Sequence, residues 1–78
     1  MNQRERRIKQ QLESDGYRVL RGGAPDFMAL KPTADGSIDL SQCKGVEVKS
    51  RRDKLTYEQE VFRKILIQAG IPYEVRIA

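Results

Sequence analysis

The sequence predicts an α/β fold with its elements in the order αβββαβ. Two segments have apolar residues at helical spacing and stop at a glycine. Four short runs are apolar, or alternate apolar with polar residues, and are bounded by turn residues, as strands are. A chain of 78 residues is expected to form one domain, residues 1–78. A domain this small buries a modest fraction of its surface, so we expect a homodimer.

The first helix is predicted over residues 2–14, where good helix formers continue up to a Ser-Asp-Gly turn. Ile8 and Leu12 are four residues apart and form its apolar face. Glu5 precedes Ile8 by three residues and lies on the same side. Two explanations stay open for an acidic residue there, an ion pair with Lys9 or a role in a functional site.

Three strands follow, predicted over residues 17–21, 26–31 and 44–50. Gly-Gly separates the first two, and Arg21 beside this turn is a candidate phosphate contact. An Asp-Gly hairpin signal lies in the loop before the third strand, where residues 38–40 form at most a short extended piece.

Charged residues on the third strand are the main functional signal. Glu47 and Lys49 point to one face of that strand, while the valines between and before them point to the other. Burying such charges is costly unless they are paired or bind a metal. If the strand that Asp26 opens lies alongside, Asp26, Glu47 and Lys49 converge on one point. The alternative is a Glu47–Lys49 ion pair, with Asp26 as a turn residue.

Two carboxylates beside a lysine suit a divalent metal used in phosphodiester chemistry, because Mg²⁺ prefers hard oxygen ligands and keeps several waters. Basic residues follow this strand directly, at Arg51, Arg52 and Lys54. Their position favours contacts to a DNA backbone, against the alternative of a solvated loop. The formal net charge of +4 fits a polyanionic partner.

The second helix is predicted to start at Thr56, which forms a capping box with Gln59. Gln59 is therefore either a capping residue or an active-site residue. Gly70 ends the helix, and the last strand is predicted over residues 71–77. The residues expected on the core face of the helix are Phe62, Ile65, Leu66 and Ala69.

Several classes of protein are disfavoured by composition. The chain has no histidine, which excludes histidine-based acid–base catalysis and His-ligated zinc. The single cysteine, Cys43, forms no intramolecular disulfide and is consistent with a reducing compartment. The charged N-terminus does not read as a signal peptide, and no apolar run is long enough to span a membrane. We expect a cytoplasmic location.

The segments Gly-Gly-Ala-Pro-Asp-Phe, Gly-Val-Glu-Val-Lys, Thr-Tyr-Glu-Gln and Gly-Ile-Pro-Tyr-Glu-Val together resemble the PD-(D/E)xK nucleases. Within them the chain is most similar to the virus-type replication-repair nuclease (VRR-NUC) domain in its small stand-alone form, over residues 4–77. The resemblance implies a small mixed sheet flanked by helices. It also implies that Asp26, Glu47 and the Val48 carbonyl bind Mg²⁺ or Mn²⁺, while Lys49 positions the attacking water.

The resemblance also implies that two helix residues support the site, Gln59 and a glutamate of the first helix. Glu5 matches best by spacing, and Glu13 is the alternative. Relatives act on branched DNA, including four-way junctions, so the resemblance implies a Holliday-junction-resolvase-like homodimer in a bacterial or phage-infected cell. The alternatives are a branched-DNA-binding module that does not cleave, and a subunit that acts through protein association.

Overall fold

The computed structural model describes all 78 residues and has the predicted order of elements. The six elements are α1 (Gln3–Ser14), β1 (Arg18–Arg21), β2 (Phe27–Pro32), β3 (Ile38–Lys49), α2 (Tyr57–Gln68) and β4 (Tyr73–Ile77). The strands form one sheet in the order β1-β2-β3-β4. The first three strands are antiparallel and β4 runs parallel to β3. The predicted α/β fold with a mixed sheet is confirmed.

Helix α1 covers one face of the sheet. Its N-cap is Asn2, whose side-chain oxygen accepts a hydrogen bond from the main-chain N–H of Glu5 at 2.8 Å. Ile8 and Leu12 are buried, as their spacing predicts. They form the hydrophobic core with three sheet residues: Phe27, Ala29 and Val46. Because side chains alternate along a strand, the neighbour of Val46, Glu47, belongs to the opposite face.

Strand β3 is longer than predicted, since it runs without interruption from Ile38 to Lys49. Its pairing with β2 shifts between Ala29 and Lys31, which marks a bulge. Residues 40–42 are exposed, so this part of the strand lacks the apolar alternation that identifies a half-buried strand. Residues 38–40 are extended, as predicted, but they belong to β3 itself, so the predicted start of this strand at residue 44 was wrong.

Helix α2 lies on the opposite sheet face from α1, with Leu66 against Gly45. The predicted core face is wrong for most of its residues. None of the helix is buried, and the exposed fractions of Phe62 and Ile65 are 41% and 52%. The helix thus leaves an apolar face uncovered.

Strand β4 completes the sheet beside β3, with Val75 opposite Glu47 and Ile77 opposite Lys49. Both apolar side chains share the face of Glu47 and are partly exposed, at 41% and 53%. Neither helix is long and apolar enough to cross a membrane.

Candidate active site

Asp26 and Glu47 are brought together by the antiparallel pairing of β2 and β3. Phe27 lies opposite Val46, so Asp26, one residue earlier, faces Glu47. The main-chain N–H of Asp26 donates to Glu47 Oε2 at 3.3 Å. In return, the main-chain N–H of Val48 donates to Asp26 Oδ2 at 2.9 Å. Each carboxylate is thus held by the backbone of the neighbouring strand.

Glu47 is the one buried charged side chain of the chain, with 0% of its surface exposed. Its Oε1 atom is buried without a hydrogen-bond partner. Burial raises the pKa of Glu47 to about 7, and the hydrogen bond and negative charge of Asp26 add to the shift. In its protonated form the Glu47 carboxyl can donate a hydrogen bond to Asp26.

Lys49 lies on the same sheet face, two residues beyond Glu47. It forms no ion pair, because the four ion pairs of the chain all join other residues. Its positive charge slightly opposes the rise in the pKa of Glu47. The ion-pair alternative is therefore not formed, and the Lys49 ammonium group remains free.

Tyr73 is a site residue that the sequence analysis placed only in the last strand. It pairs with Gly45 in the parallel register of β3 and β4. Its hydroxyl is buried without a hydrogen-bond partner. Burial, followed by the negative charges of Glu47 and Asp26, raises the pKa of Tyr73 to about 12. Only the register between the two strands reveals this neighbourhood, and register was not available from the sequence.

The predicted glutamates of α1 are not brought into this group. No three acidic, histidine or cysteine side chains lie together in a metal-binding arrangement. Glu5 does not pair with Lys9; it accepts a weak hydrogen bond from the side chain of Asn2 at 3.5 Å. Lys9 instead pairs with Glu13 at 3.0 Å. A supporting role for Glu5 stays a prediction.

Gln59 forms the capping box of α2. Its Oε1 accepts the main-chain N–H of Thr56 at 2.8 Å, and its own main-chain N–H donates to Thr56 Oγ1 at 3.3 Å. The side-chain oxygen is thus engaged at the helix start. The structure shows no hydrogen bond from Gln59 to Asp26 or Glu47, so its catalytic role also stays a prediction.

The predicted DNA-binding residues are all exposed. Arg51 and Arg52 lie in the turn after β3, and Lys54 follows them before α2. Arg21 ends β1 and lies opposite Phe27, which places it one residue along from the Asp26 position. None of the four forms an ion pair.

The carboxylates suit a divalent cation on two grounds. They supply hard oxygen atoms, which divalent cations prefer. In addition, the Oε1 atom of Glu47 is buried without a hydrogen-bond partner in the protein, and a bound cation would satisfy it. An aspartate immediately before one strand and Glu-x-Lys on the next, within a mixed sheet flanked by helices, define a PD-(D/E)xK-like fold.

The chain belongs to the VRR-NUC family, since the family model described as VRR-NUC domain matches residues 2–76. This confirms the family predicted from the motifs. Searches among curated proteins and among solved structures gave no match. Membership identifies a nuclease-type domain of replication and repair.

Proposed function

We propose that this protein is a divalent-metal-dependent endonuclease that hydrolyses phosphodiester bonds in structured DNA. The observation that carries the proposal is the buried Glu47 carboxyl, with one oxygen unpartnered and Asp26 beside it. A fold stabilised only by packing gains nothing from such a group, because a buried polar atom without a partner is destabilising.

The metal ligands in this proposal are the carboxylates of Asp26 and Glu47, with the Val48 carbonyl completing the set. Mg²⁺ or Mn²⁺ bound there would supply charge neutralisation at the phosphate and acidify a bound water. The hydrogen bonds to Asp26 Oδ2 and Glu47 Oε2 fix both carboxylates before a cation arrives. Such preorganisation lowers the cost of assembling the site.

Lys49 has the second role. Its ammonium group is unpaired, on the face of Glu47, and so can donate hydrogen bonds to the attacking water and to a phosphate oxygen. An ion pair with Glu47 would have neutralised it.

The substrate proposed is branched DNA such as a four-way junction, cut by a homodimer. Two strands must be cut to resolve a junction, and a two-fold dimer places two identical sites in symmetric positions. Exposed apolar side chains on α2 and β4 support association. They are Phe62, Ile65, Ile67 and Val75. On β3, Leu40 is also 76% exposed, whereas Ile38 is half-buried.

The test is a cleavage assay on a duplex, a flap and a four-way junction, with Mg²⁺, Mn²⁺ or EDTA. Asp26→Asn and Glu47→Gln should each reduce cleavage at least about 100-fold, because each removes a charged ligand. Glu58→Gln, which changes an exposed carboxylate of α2 outside the site, is the matched control. Undiminished cleavage by the two site variants, or in EDTA, would overturn the proposal. Junction binding without cleavage in either metal would favour the non-cleaving module instead.

A further inference from the structure

A cleft of about 820 Å³ lies at the carboxyl end of β3, beyond the acidic site. Its walls carry four arginines from two distant parts of the chain. Arg4 and Arg7 come from α1, and Arg51 and Arg52 come from the turn after β3. The ends of β3 and β4 lie between the walls. More than forty residues separate the two pairs along the chain, so only the fold brings them together.

None of the four guanidinium groups forms an ion pair with an aspartate or glutamate side chain. Every ion pair in the chain joins other residues, and the nearby Asp53 does not join one. Like charges that surround one cavity repel each other, and an anion in the cavity relieves that repulsion. The charge of the cleft therefore favours an anion.

Both walls are fixed by hydrogen bonds to the backbone. Asp53 closes the arginine turn, since its main-chain N–H donates to the Ser50 carbonyl at 3.2 Å and its Oδ2 accepts the Ser50 N–H at 3.0 Å. Hydrogen bonds from the main chain and side chain of Ser50 to the Asp53 carboxylate lower the pKa of Asp53, so this carboxylate stays ionised. On the other wall, Arg4 Nε donates to the Ala78 carbonyl at 3.1 Å, which ties α1 to the end of the sheet.

The cleft is within reach of a strand bound at the acidic site. Arg51 is two residues beyond Lys49, so their Cα atoms are at most about 7.6 Å apart. A nucleic-acid strand carries one phosphate per roughly 3.4 Å of helix axis. A backbone with one phosphate at Asp26 and Glu47 therefore has further phosphates close to the arginine turn.

We infer that this cleft binds the phosphate backbone of the DNA strand that extends from the acidic site. Arg4 and Arg7 contact the backbone from one wall, and Arg51 and Arg52 contact it from the other. The inference rests on the proposed function and names the part of the surface that receives the substrate. Guanidinium forks match phosphate oxygens in pairs, and contacts to the backbone carry no sequence information. Binding through the cleft is accordingly independent of base sequence.

The experiment measures the affinity of the full chain for two labelled DNA duplexes of unrelated sequence, by fluorescence anisotropy without metal, across a salt series. The variant Arg4→Gln/Arg7→Gln should reduce the slope of log affinity against log salt by about 1–2 on both duplexes, since each lost phosphate contact removes about 0.9. The control Arg18→Gln/Lys64→Gln removes the same charge from exposed residues of β1 and α2 outside the cleft. Its slope should change by less than about 0.5.

Because Arg4 also bonds to Ala78, Arg7→Gln alone is the second variant, with an expected reduction of about 0.9. Slopes that match the control in both variants overturn the inference. Binding to polyglutamate is measured as well. If the variants lose binding to polyglutamate but keep the wild-type slope on DNA, the inference is also overturned, because the cleft would then bind an acidic protein.

The nuclease proposal fails separately. If the variants keep the wild-type salt slope and cleavage is normal, only the inference about the cleft is overturned. If the variants reduce the salt slope and the wild type cleaves no DNA, the inference about the cleft is supported and the nuclease proposal is overturned.

Discussion

Glu47→Gln should stabilise the metal-free protein at alkaline pH, although it removes a residue of the proposed metal site. Glu47 has a folded-state pKa of about 7, against an ordinary value of 4.5 for a glutamate. Between these values the folded protein binds more protons than the unfolded chain. The free energy of unfolding therefore falls as the pH rises from about 4.5 to about 7, and the loss is complete above that range.

The size of the effect follows from the shift in pKa. Each pKa unit corresponds to 1.36 kcal/mol, so the full shift amounts to roughly 3 kcal/mol. Relaxation of the site around the charge reduces this, and we expect about 1–3 kcal/mol at pH 8. Glutamine stays neutral, and its amide can donate to Asp26 as the protonated carboxyl does. The variant should match the wild type near pH 4.5 and exceed it at pH 8.

The assay is thermal or urea unfolding in EDTA from pH 4.5 to 8, at one fixed protein concentration. For a domain of this size each kcal/mol corresponds to about 4–8 °C in Tm. Glu58→Gln, in which an exposed carboxylate changes, should follow the wild-type pH profile. Adding Mn²⁺ at pH 8 should raise the Tm of the wild type and not that of Glu47→Gln. Parallel pH profiles for the wild type and Glu47→Gln would refute the reasoning.

Three further predictions concern the site, the packing and the assembly. Lys49→Ala should slow single-turnover cleavage at least about 100-fold, while its Mn²⁺ affinity, measured by calorimetry, stays within about threefold of the wild type. Loss of metal binding with an unchanged rate of the chemical step would contradict the assigned role. Gly45→Ala should cost about 1–3 kcal/mol in urea unfolding, because its Cβ would lie 2.9 Å from Leu66 Cδ1 and 3.1 Å from Pro25 Cγ. Gly23→Ala, with no atom within 4 Å, is its control, and equal costs would count against the packing argument. Light scattering without DNA should give about twice the chain mass of 9.0 kDa, whereas the chain mass at micromolar concentration would remove the dimer.

The pairing of Asp26 with Glu47 was predictable because it depends on local rules. A strand, a turn-rich loop and a second strand form an antiparallel pair, and alternation of side chains then fixes which residues share a face. The cap of α2 was predictable for the same reason, since Thr56 and Gln59 are three residues apart and meet in any helix that starts there.

The features that the sequence did not predict depend on tertiary register. The neighbourhood of Tyr73 arises from the parallel register of β4, which is set by how α2 crosses the sheet. The apolar spacing along α2 predicts a buried face, and it cannot distinguish a face buried in the same chain from one left for a partner. Phe62 and Ile65 show this limit, because they have the apolar spacing of a helix face and yet are exposed in this chain.

The stability of the metal-free protein and the proposed activity make opposite demands on Glu47. Packing alone would favour an apolar residue on this strand, as at Val46 and Val48, since burial penalises the ionised carboxyl. That same penalty favours cation binding under the proposed function, because a cation would satisfy Oε1 and would replace the proton that burial favours on Glu47. Metal binding should therefore release protons below pH 7 and few above pH 8, which calorimetry in buffers of different ionisation enthalpy would detect. Proton release that does not change across this range would mean that Glu47 is not a ligand, even if Asp26 is one.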